Sequence, residues 1–141
     1  MKTLSGTDKK TILLVDDEDY LALFLKKLLS SEGYNVVTAC DGQEAVNIYK
    51  ADSNSIDLVL MDITMPIKTG IEAHEEMIQH NRCAPILLMS AYSKESFDGL
   101  THPHFIRKPM QPTELFLYIE EVLKETSLCS ANQQLSTGPI S

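Results

Sequence analysis

The stretch that decides the fold is "TILLVDDEDY", residues 11–20, where an apolar run meets a cluster of like charges. Residues 12–15 are all aliphatic, which is typical of a short strand buried on both faces of a parallel sheet. Asp16, Asp17 and two further acids follow without a spacer. Carboxylates crowded at the end of a buried strand repel one another unless a cation lies among them. We therefore expect this strand to end at a site that holds a positive group.

Apolar strands alternate with helical segments along the rest of the chain. Helical spacing of apolar residues runs from Asp17 to Gly33 and returns in "DGQEAVNIYK" (41–50), "IEAHEEMIQH" (71–80) and "QPTELFLYIEEVLKE" (111–125), while "KESFDGL" (94–100) allows only a short fourth helix. Further strands are expected in "YNVVTA" (34–39), "IDLVLMD" (56–62), "APILLMS" (84–90) and "HFIRKP" (104–109). This alternation predicts an α/β fold in which helices cover both faces of a parallel sheet.

Length and charge limit what kind of protein this chain can be. Its 141 residues, 43% of them hydrophobic, suit one globular domain. We assign residues 1–9 to a flexible arm, 10–125 to the folded domain, and the Ser-, Gln- and Asn-rich residues 126–141 to a disordered tail. The net charge of -8 argues against nucleic acid or an anionic membrane as a partner. No apolar run approaches the length of a membrane span.

The cysteines and histidines indicate neither a disulfide framework nor a metal site. The chain has three cysteines, Cys40, Cys83 and Cys129, with no CxxC spacing between any two. An odd number at such distances favours free thiols in a reducing compartment. The polar start "MKTLSGTDKK" has no apolar core of a signal peptide. We therefore expect a cytoplasmic protein. None of the four histidines has the spacing of a zinc ligand.

Reactive polar groups follow four of the five predicted strands. Asp16 and Asp17 come after the first strand, Asp62 ends the third, Ser90 ends the fourth and Lys108 follows the fifth. Each residue alone is more often a helix cap, a turn residue or a solvated lysine. Together they lie where parallel sheets place their sites, beyond the carboxyl ends of the strands. Such a set predicts that the carboxylates bind Mg²⁺ and that Asp62 attacks phosphorus to form an aspartyl phosphate.

At this point the sequence resembles the receiver domains of response regulators in two-component and phosphorelay signalling. The resemblance covers residues 10–125 and implies a flavodoxin-like, doubly wound sheet of five parallel strands in the order 2-1-3-4-5. The order and spacing of the motifs are similar to those of the family. The matching segments are "LLVDDE" (13–18), "DGQEA" (41–45), "LVLMDITMPIKTG" (58–70), "ILLMSAY" (86–92) and "FIRKP" (105–109).

The resemblance implies a role for each residue of the acidic set. Asp62 corresponds to the phosphoacceptor. Asp17 corresponds to the direct Mg²⁺ ligand, Asp16 acts largely through water, and Thr64 offers its backbone carbonyl to the metal. Lys108 corresponds to the lysine that pairs with the phosphate, so that Asp62, Ser90 and Lys108 form the catalytic set. The chemistry would be self-catalysed phosphotransfer and autodephosphorylation rather than metabolic catalysis.

Other positions correspond to the family's switch and to residues that tune the lifetime of the phosphate. Ser90 resembles the hydroxyl that turns toward the phosphate, and Phe105 stands at the position of the aromatic switch; a core aromatic is the alternative interpretation of Phe105. Thr64 and Tyr92 occupy the two variable positions linked to phosphate lifetime. The family also implies a cis peptide between Lys108 and Pro109.

One segment departs from the family pattern. Between Ser90 and Lys108 the chain is about four residues shorter than usual, or roughly one helical turn. The Gly-Ala that normally precedes the fifth strand is replaced by "LTHPHF". We therefore expect a shortened fourth helix. Because this helix forms part of the surface by which receivers signal and dimerise, the mode of output stays open.

The sequence thus predicts a receiver that takes a phosphoryl group from the phospho-histidine of a sensor histidine kinase or a histidine phosphotransfer protein. Output would pass to a protein target or onward to another histidine. Whether the receiver stands alone or belongs to a longer hybrid kinase stays open. One alternative is a receiver-like binding module that works without phosphorylation. Another is a metal-dependent phosphohydrolase, which Thr64 disfavours because such enzymes usually have a second Asp at this position.

Overall fold

The computed structural model describes residues 9–93 and 104–136, with side chains up to residue 131. These residues contain five strands and four α-helices, which alternate up to β4, and a 3-10 turn at Ser53–Ser55 follows the second helix. The strands are β1 (Thr11–Val15), β2 (Asn35–Ala39), β3 (Leu58–Asp62), β4 (Ile86–Ser90) and β5 (Phe105–Arg107). The helices are α1 (Asp19–Ser31), α2 (Gly42–Asp52), α3 (Gly70–His80) and α4 (Pro112–Ser136).

All five strands form one parallel sheet in the order β2-β1-β3-β4-β5. This order confirms the predicted flavodoxin-like class. Every residue of β3 and β4 is buried, as expected for central strands covered on both faces. Because β1 and β3 are neighbours, the residues at their carboxyl ends lie side by side.

The side chains of the sheet divide alternately between two apolar layers. Leu13 and Val15 of β1 pack with α2 and α3 in one layer, whereas Ile12 and Leu14 pack with α1 and α4 in the other. Tyr49 of α2 is fully buried in the first layer, and its hydroxyl accepts a hydrogen bond from the Asn81 side chain at 3.0 Å. These two layers hold the strand ends in a fixed arrangement.

The last helix is longer than the sequence pattern indicates. Helix α4 corresponds to the predicted fifth helix, but it continues from residue 125 to Ser136. The prediction of a disordered tail is therefore wrong for residues 126–136. The remaining tail, the arm up to residue 8 and the predicted short fourth helix (94–100) lie outside the described residues. Among the described helices, none is long and apolar enough to cross a membrane.

A disulfide joins two cysteines that the sequence analysis treated as free. Cys83, in the turn between α3 and β4, is bonded to Cys129 in the added part of α4. The two residues are 46 positions apart, so no local motif marks them as a pair. The third cysteine, Cys40, is free and exposed, in agreement with the prediction.

Two leucines of α4 offer a matched test of the packing. Leu115 is fully buried against the sheet, whereas Leu117 is 67% exposed two residues later. We expect Leu115→Ala to lower the free energy of unfolding by about 2–5 kcal/mol because it leaves a cavity. Leu117→Ala should change it by no more than about 0.5 kcal/mol. Urea unfolding of both variants measures the difference, and equal effects would contradict this orientation of α4.

Candidate functional site

The structure brings the predicted catalytic and metal-binding side chains to one edge of the sheet. Asp62 and Ser90 are the last residues of β3 and β4, while Asp16 and Lys108 follow β1 and β5 directly. Asp16, Asp62 and Ser90 are all buried, an unusual environment for two carboxylates. The peptide bond between Lys108 and Pro109 is cis, as the family resemblance implied.

The ammonium group of Lys108 links the two buried carboxylates. Lys108 Nζ donates to Asp62 Oδ2 at 2.8 Å and lies 3.4 Å from Asp16 Oδ2. The Lys108 side chain is itself mostly buried, so solvent screens these contacts only weakly. The contacts connect β1, β3 and β5 through charge, across the full width of the crevice.

The site perturbs the protonation of both partners. Burial raises the pKa of Asp16 above its ordinary 3.8, although a hydrogen bond from the Glu18 amide and the charge of Lys108 act in the opposite direction. Burial lowers the pKa of Lys108, but the hydrogen bond and charge of Asp62 outweigh this effect and raise it above 10.5. Lys108 therefore stays charged. For Asp16, the hydrogen bond from Glu18 and the charge of Lys108 offset only part of the cost of burying its negative charge.

Local backbone geometry orients the Asp62 carboxylate. Its Oδ1 accepts a hydrogen bond from the Thr64 amide at 3.2 Å, so that the two oxygens have different partners. Gly70 packs against the backbone of Asp62, and a Cβ atom at this glycine would lie 2.3 Å from the Asp62 carbonyl oxygen. A side chain at residue 70 would therefore displace the end of β3. A capping box between Thr69 and Glu72 begins α3 at this point.

Three carboxylates converge on one point of the edge. Oxygens of Asp16, Asp17 and Asp62 all lie within 4.8 Å of one another, with Asp16 and Asp62 buried and Asp17 exposed. One ammonium group faces these three carboxylates among the described residues, and burial has already raised the pKa of Asp16. A hard divalent cation with oxygen ligands fits this donor set, and Mg²⁺ would keep some of its water ligands there. Asp16, Asp17 and Asp62 could hold it with their side chains.

A cavity of about 260 Å³ opens above these groups. Ser90 Oγ faces the same region and accepts a hydrogen bond from the Tyr92 amide at 3.0 Å. The Tyr92 side chain is 59% exposed at the rim. Sequence reasoning missed Glu18, which also lines the cavity. The full lining is Asp17, Glu18, Asp62, Thr64, Ser90, Ala91, Tyr92 and Lys108.

Phe105, the predicted aromatic switch, lies apart from this cavity lining. It begins β5, is half-buried, and packs against the layer formed with α2 and α3. Its register partner is Leu88, two residues before Ser90 on β4. This contact is that of a core aromatic, and a switching role remains a prediction.

The sequence analysis also did not identify an apolar groove beside the charged site. We call it the α1–α4 groove; it has a volume of about 330 Å³ and shares Lys108 and Ala91 with the charged cavity. The signal for such a groove was the pair of aromatic residues Tyr20 and Phe24 on α1. Both are exposed and therefore lie outside the buried face of that helix. The groove is lined by Leu21, Phe24, Leu25, Leu28, Ala91, Lys108, Pro109, Met110, Pro112 and Leu115.

Comparison with known proteins identifies the class of this arrangement. The family model described as "Response regulator receiver domain" matches residues 12–120. The chain is 38% identical over 118 residues to the chemotaxis protein CheY of Treponema pallidum, covering 80% of this chain and 82% of that protein. It is 31% identical to the transcriptional regulatory protein PhoP of Bacillus subtilis, of which it spans 53%. The chain therefore belongs to the receiver domains of response regulators.

Solved structures agree with this assignment. A response regulator receiver domain protein from Clostridium thermocellum has a TM-score of 0.79 at 25% identity, over 85% of this chain and 98% of that one. The response regulator TrrA of Thermotoga maritima, solved in complex with Mg²⁺ and BeF, has a TM-score of 0.71 at 34% identity, over 80% and 98%. This chain is thus CheY-like in fold.

Magnesium should stabilise the folded protein through the acidic cluster. At a Mg²⁺ concentration about a hundredfold above the dissociation constant, the free energy of unfolding should rise by about 2.7 kcal/mol. Asp17→Asn should abolish most of this gain because it removes an exposed ligand without disturbing Lys108. Asp19→Asn, an acid in the first turn of α1 outside the cluster, should retain the gain. Unfolding with and without Mg²⁺ measures this, and equal losses in both variants would contradict the assigned site.

Proposed function

We propose that this receiver accepts a phosphoryl group onto Asp62 from the phospho-histidine of a partner protein, in a Mg²⁺-dependent reaction. The observation that carries the proposal is the Asp62 carboxylate, held by Lys108 at 2.8 Å beside Asp16 and Asp17. A carboxylate is a competent nucleophile toward phosphorus when the negative charge around it is neutralised. Lys108 supplies one positive charge, and a metal held by Asp16, Asp17 and Asp62 would supply the rest.

Each group has a distinct part in the transfer. An Asp62 oxygen bonds to phosphorus as the P–N bond of the donor breaks, and the electron pair of that bond stays on the imidazole. Bound Mg²⁺ would offset charge on the phosphoryl oxygens. Lys108 then exchanges its contact with the Asp62 carboxylate for one with a phosphoryl oxygen, and the Ser90 hydroxyl donates to another. The backbone carbonyl of Thr64 is proposed as a further metal ligand.

The donor must bring its histidine directly over Asp62. The α1–α4 groove lies beside the charged cavity and shares Lys108 with it. A partner bound in the groove would therefore also reach the charged cavity. We propose that an apolar helical face of a sensor histidine kinase or histidine phosphotransfer protein occupies the groove. Since such kinases draw their phosphoryl group from ATP, we also propose a cytoplasmic location.

Phosphorylation would then shift the protein between two states. Ser90 turning toward the phosphate would give up the hydrogen bond that its Oγ accepts from the Tyr92 amide. Movement of Ser90 is proposed to pass to Phe105, whose register partner Leu88 lies on the same strand as Ser90. Tyr92 and Thr64, both at the rim of the cavity, would set how readily water attacks the phosphoryl group. The output is contact with a downstream protein or onward transfer to another histidine.

Intact mass after incubation with acetyl phosphate or a phospho-histidine donor tests the central step. Wild-type protein with Mg²⁺ should gain the mass of one phosphoryl group, and chelation of the metal should prevent this gain. Asp62→Asn should gain none, because the amide is not a nucleophile. Asp19→Asn, the same substitution at an exposed acid outside the cluster, should be modified like the wild type. A folded, Mg²⁺-binding protein that gains no mass from either donor would favour a phosphorylation-independent binding module.

Removal of the lysine should separate catalysis from metal binding. Lys108→Met is expected to slow phosphorylation by about 10²–10³-fold because a preorganised positive charge is lost. It should not weaken Mg²⁺ binding, since it removes a cation that competes for Asp62 and Asp16. Lys50→Met, on α2, is the control and should leave both quantities unchanged. Phosphorylation rates and Mg²⁺ titrations measure the two effects, and a parallel loss of both would contradict this division.

A further inference from the structure

The added part of α4, residues 126–136, has little apolar packing to hold it. We call these residues the α4 extension. Of the extension residues with described side chains, Thr126 and Cys129 are half-buried and the other four are exposed. Leu128, the one large apolar residue among them, is 60% exposed. The last fully packed core residue of the helix is Val122, one turn earlier. Apolar burial therefore contributes little to the position of the extension.

The composition of the extension is also poor for a helix. Its sequence "TSLCSANQQLS" contains one Thr, three Ser, one Cys and one Asn, all of which have lower helix propensity than Ala or Leu. A short segment of this kind is marginal as an isolated helix in water. It can continue from the packed part of α4, but its far end should fray unless it is tied to the body of the protein.

The extension runs along the amino-terminal edge of the sheet. Thr126 and Ser130 line a groove there with Lys10 and Asp57, which lie next to β1 and β3. On the other side, Cys129 is joined to Cys83, which is almost completely buried in the turn between α3 and β4. Among the described residues this bond is the one covalent tie between the extension and the sheet.

We propose that Cys83 and Cys129 form a redox-controlled clamp on the α4 extension. With the disulfide closed, the extension is held against the α3–β4 turn as a helix. With the disulfide reduced, residues 126–136 detach and lose helical order. The modification site is the cysteine pair, and its reactant is a cellular dithiol or thiol reductant. A disulfide of this kind in a reducing compartment is more often regulatory than structural.

The exchange balances without any further reactant. A thiolate of the reductant attacks Sγ of Cys129, the less buried of the two cysteines, and the bond to Cys83 breaks so that Cys83 leaves as a thiolate and takes up a proton. The second thiol of the reductant then attacks the mixed disulfide and releases Cys129 as a thiol. Two electrons and two protons pass to the protein, and the reductant becomes a disulfide. Oxidation of the pair reverses these steps.

The clamp lies far from the phosphorylation site. Cys83 precedes β4 and Ser90 ends it, so the five residues of this strand, about 15 Å in length, separate the two ends. The position of the extension can therefore be measured without phosphorylation. The test of the inference is therefore independent of the function proposed for Asp62, while the reducing compartment in which the clamp would act rests on that proposed function.

Hydrogen exchange in a Cys40→Ser background tests the clamp. The substitution removes the free exposed thiol, so that Cys83 and Cys129 are the two cysteines left to react. Protein oxidised with oxidised glutathione should be lighter by two hydrogen atoms than protein reduced with dithiothreitol. In the oxidised form, amides of residues 127–136 should be protected. Reduction should speed their exchange by about tenfold or more, while exchange in β1 and β3 should stay unchanged.

Two variants keep the test decisive if one of them folds poorly. In the same background, Cys129→Ser replaces a half-buried residue and should show fast exchange of residues 127–136 under both redox conditions. Cys83→Ser should behave identically if it folds. Failure to form the intramolecular bond at any glutathione ratio would overturn the proposal. Equal protection of the extension in oxidised, reduced and Cys129→Ser protein would overturn it as well.

Discussion

The site depends on one electrostatic constraint, which is that two buried carboxylates share a single ammonium group. Asp16 and Asp62 can come this close only because β1 and β3 are neighbours in a parallel sheet and end at the same edge. Lys108 reaches both from β5, the outer strand of the sheet. Without the lysine, each carboxylate would be buried beside a like charge, and at least one would be driven toward its neutral form. The ion pairs therefore depend on the strand order.

The same constraint leaves the edge short of positive charge. Among the described residues, three carboxylates meet one ammonium group, and the most buried of the three, Asp16, has a raised pKa because burial penalises its charge. A divalent cation would remove this penalty, and the added phosphoryl group would in turn bring new negative charge for the cation and Lys108 to bind. In the resting state the edge therefore carries excess negative charge, which a cation would have to neutralise before the site could receive a phosphoryl group that is itself negative.

Much of this arrangement could be predicted from the sequence because its causes are local. Apolar runs mark the five strands, and the residue after each run identifies the groups at the carboxyl edge. The α4 extension could not be predicted in this way, since residues 126–136 have no apolar periodicity and few strong helix formers. The pairing of Cys83 with Cys129 is a contact across 46 positions, which no spacing rule indicates. The apolar groove was missed because Phe24 has helical spacing with Leu28. Spacing alone does not show which of the apolar residues of α1 are covered by the rest of the protein.

Strand pairing fixes the relative position of two groups of the site, Ser90 and Lys108. Ser90 and Lys108 are joined directly, because the Lys108 amide donates to the Ser90 carbonyl at 2.8 Å and Ser90 pairs with Arg107 in the sheet register. Their relative position is therefore set by strand pairing and not by the length of chain between them. The connection can therefore differ in length without moving either group, provided that the two strands still pair.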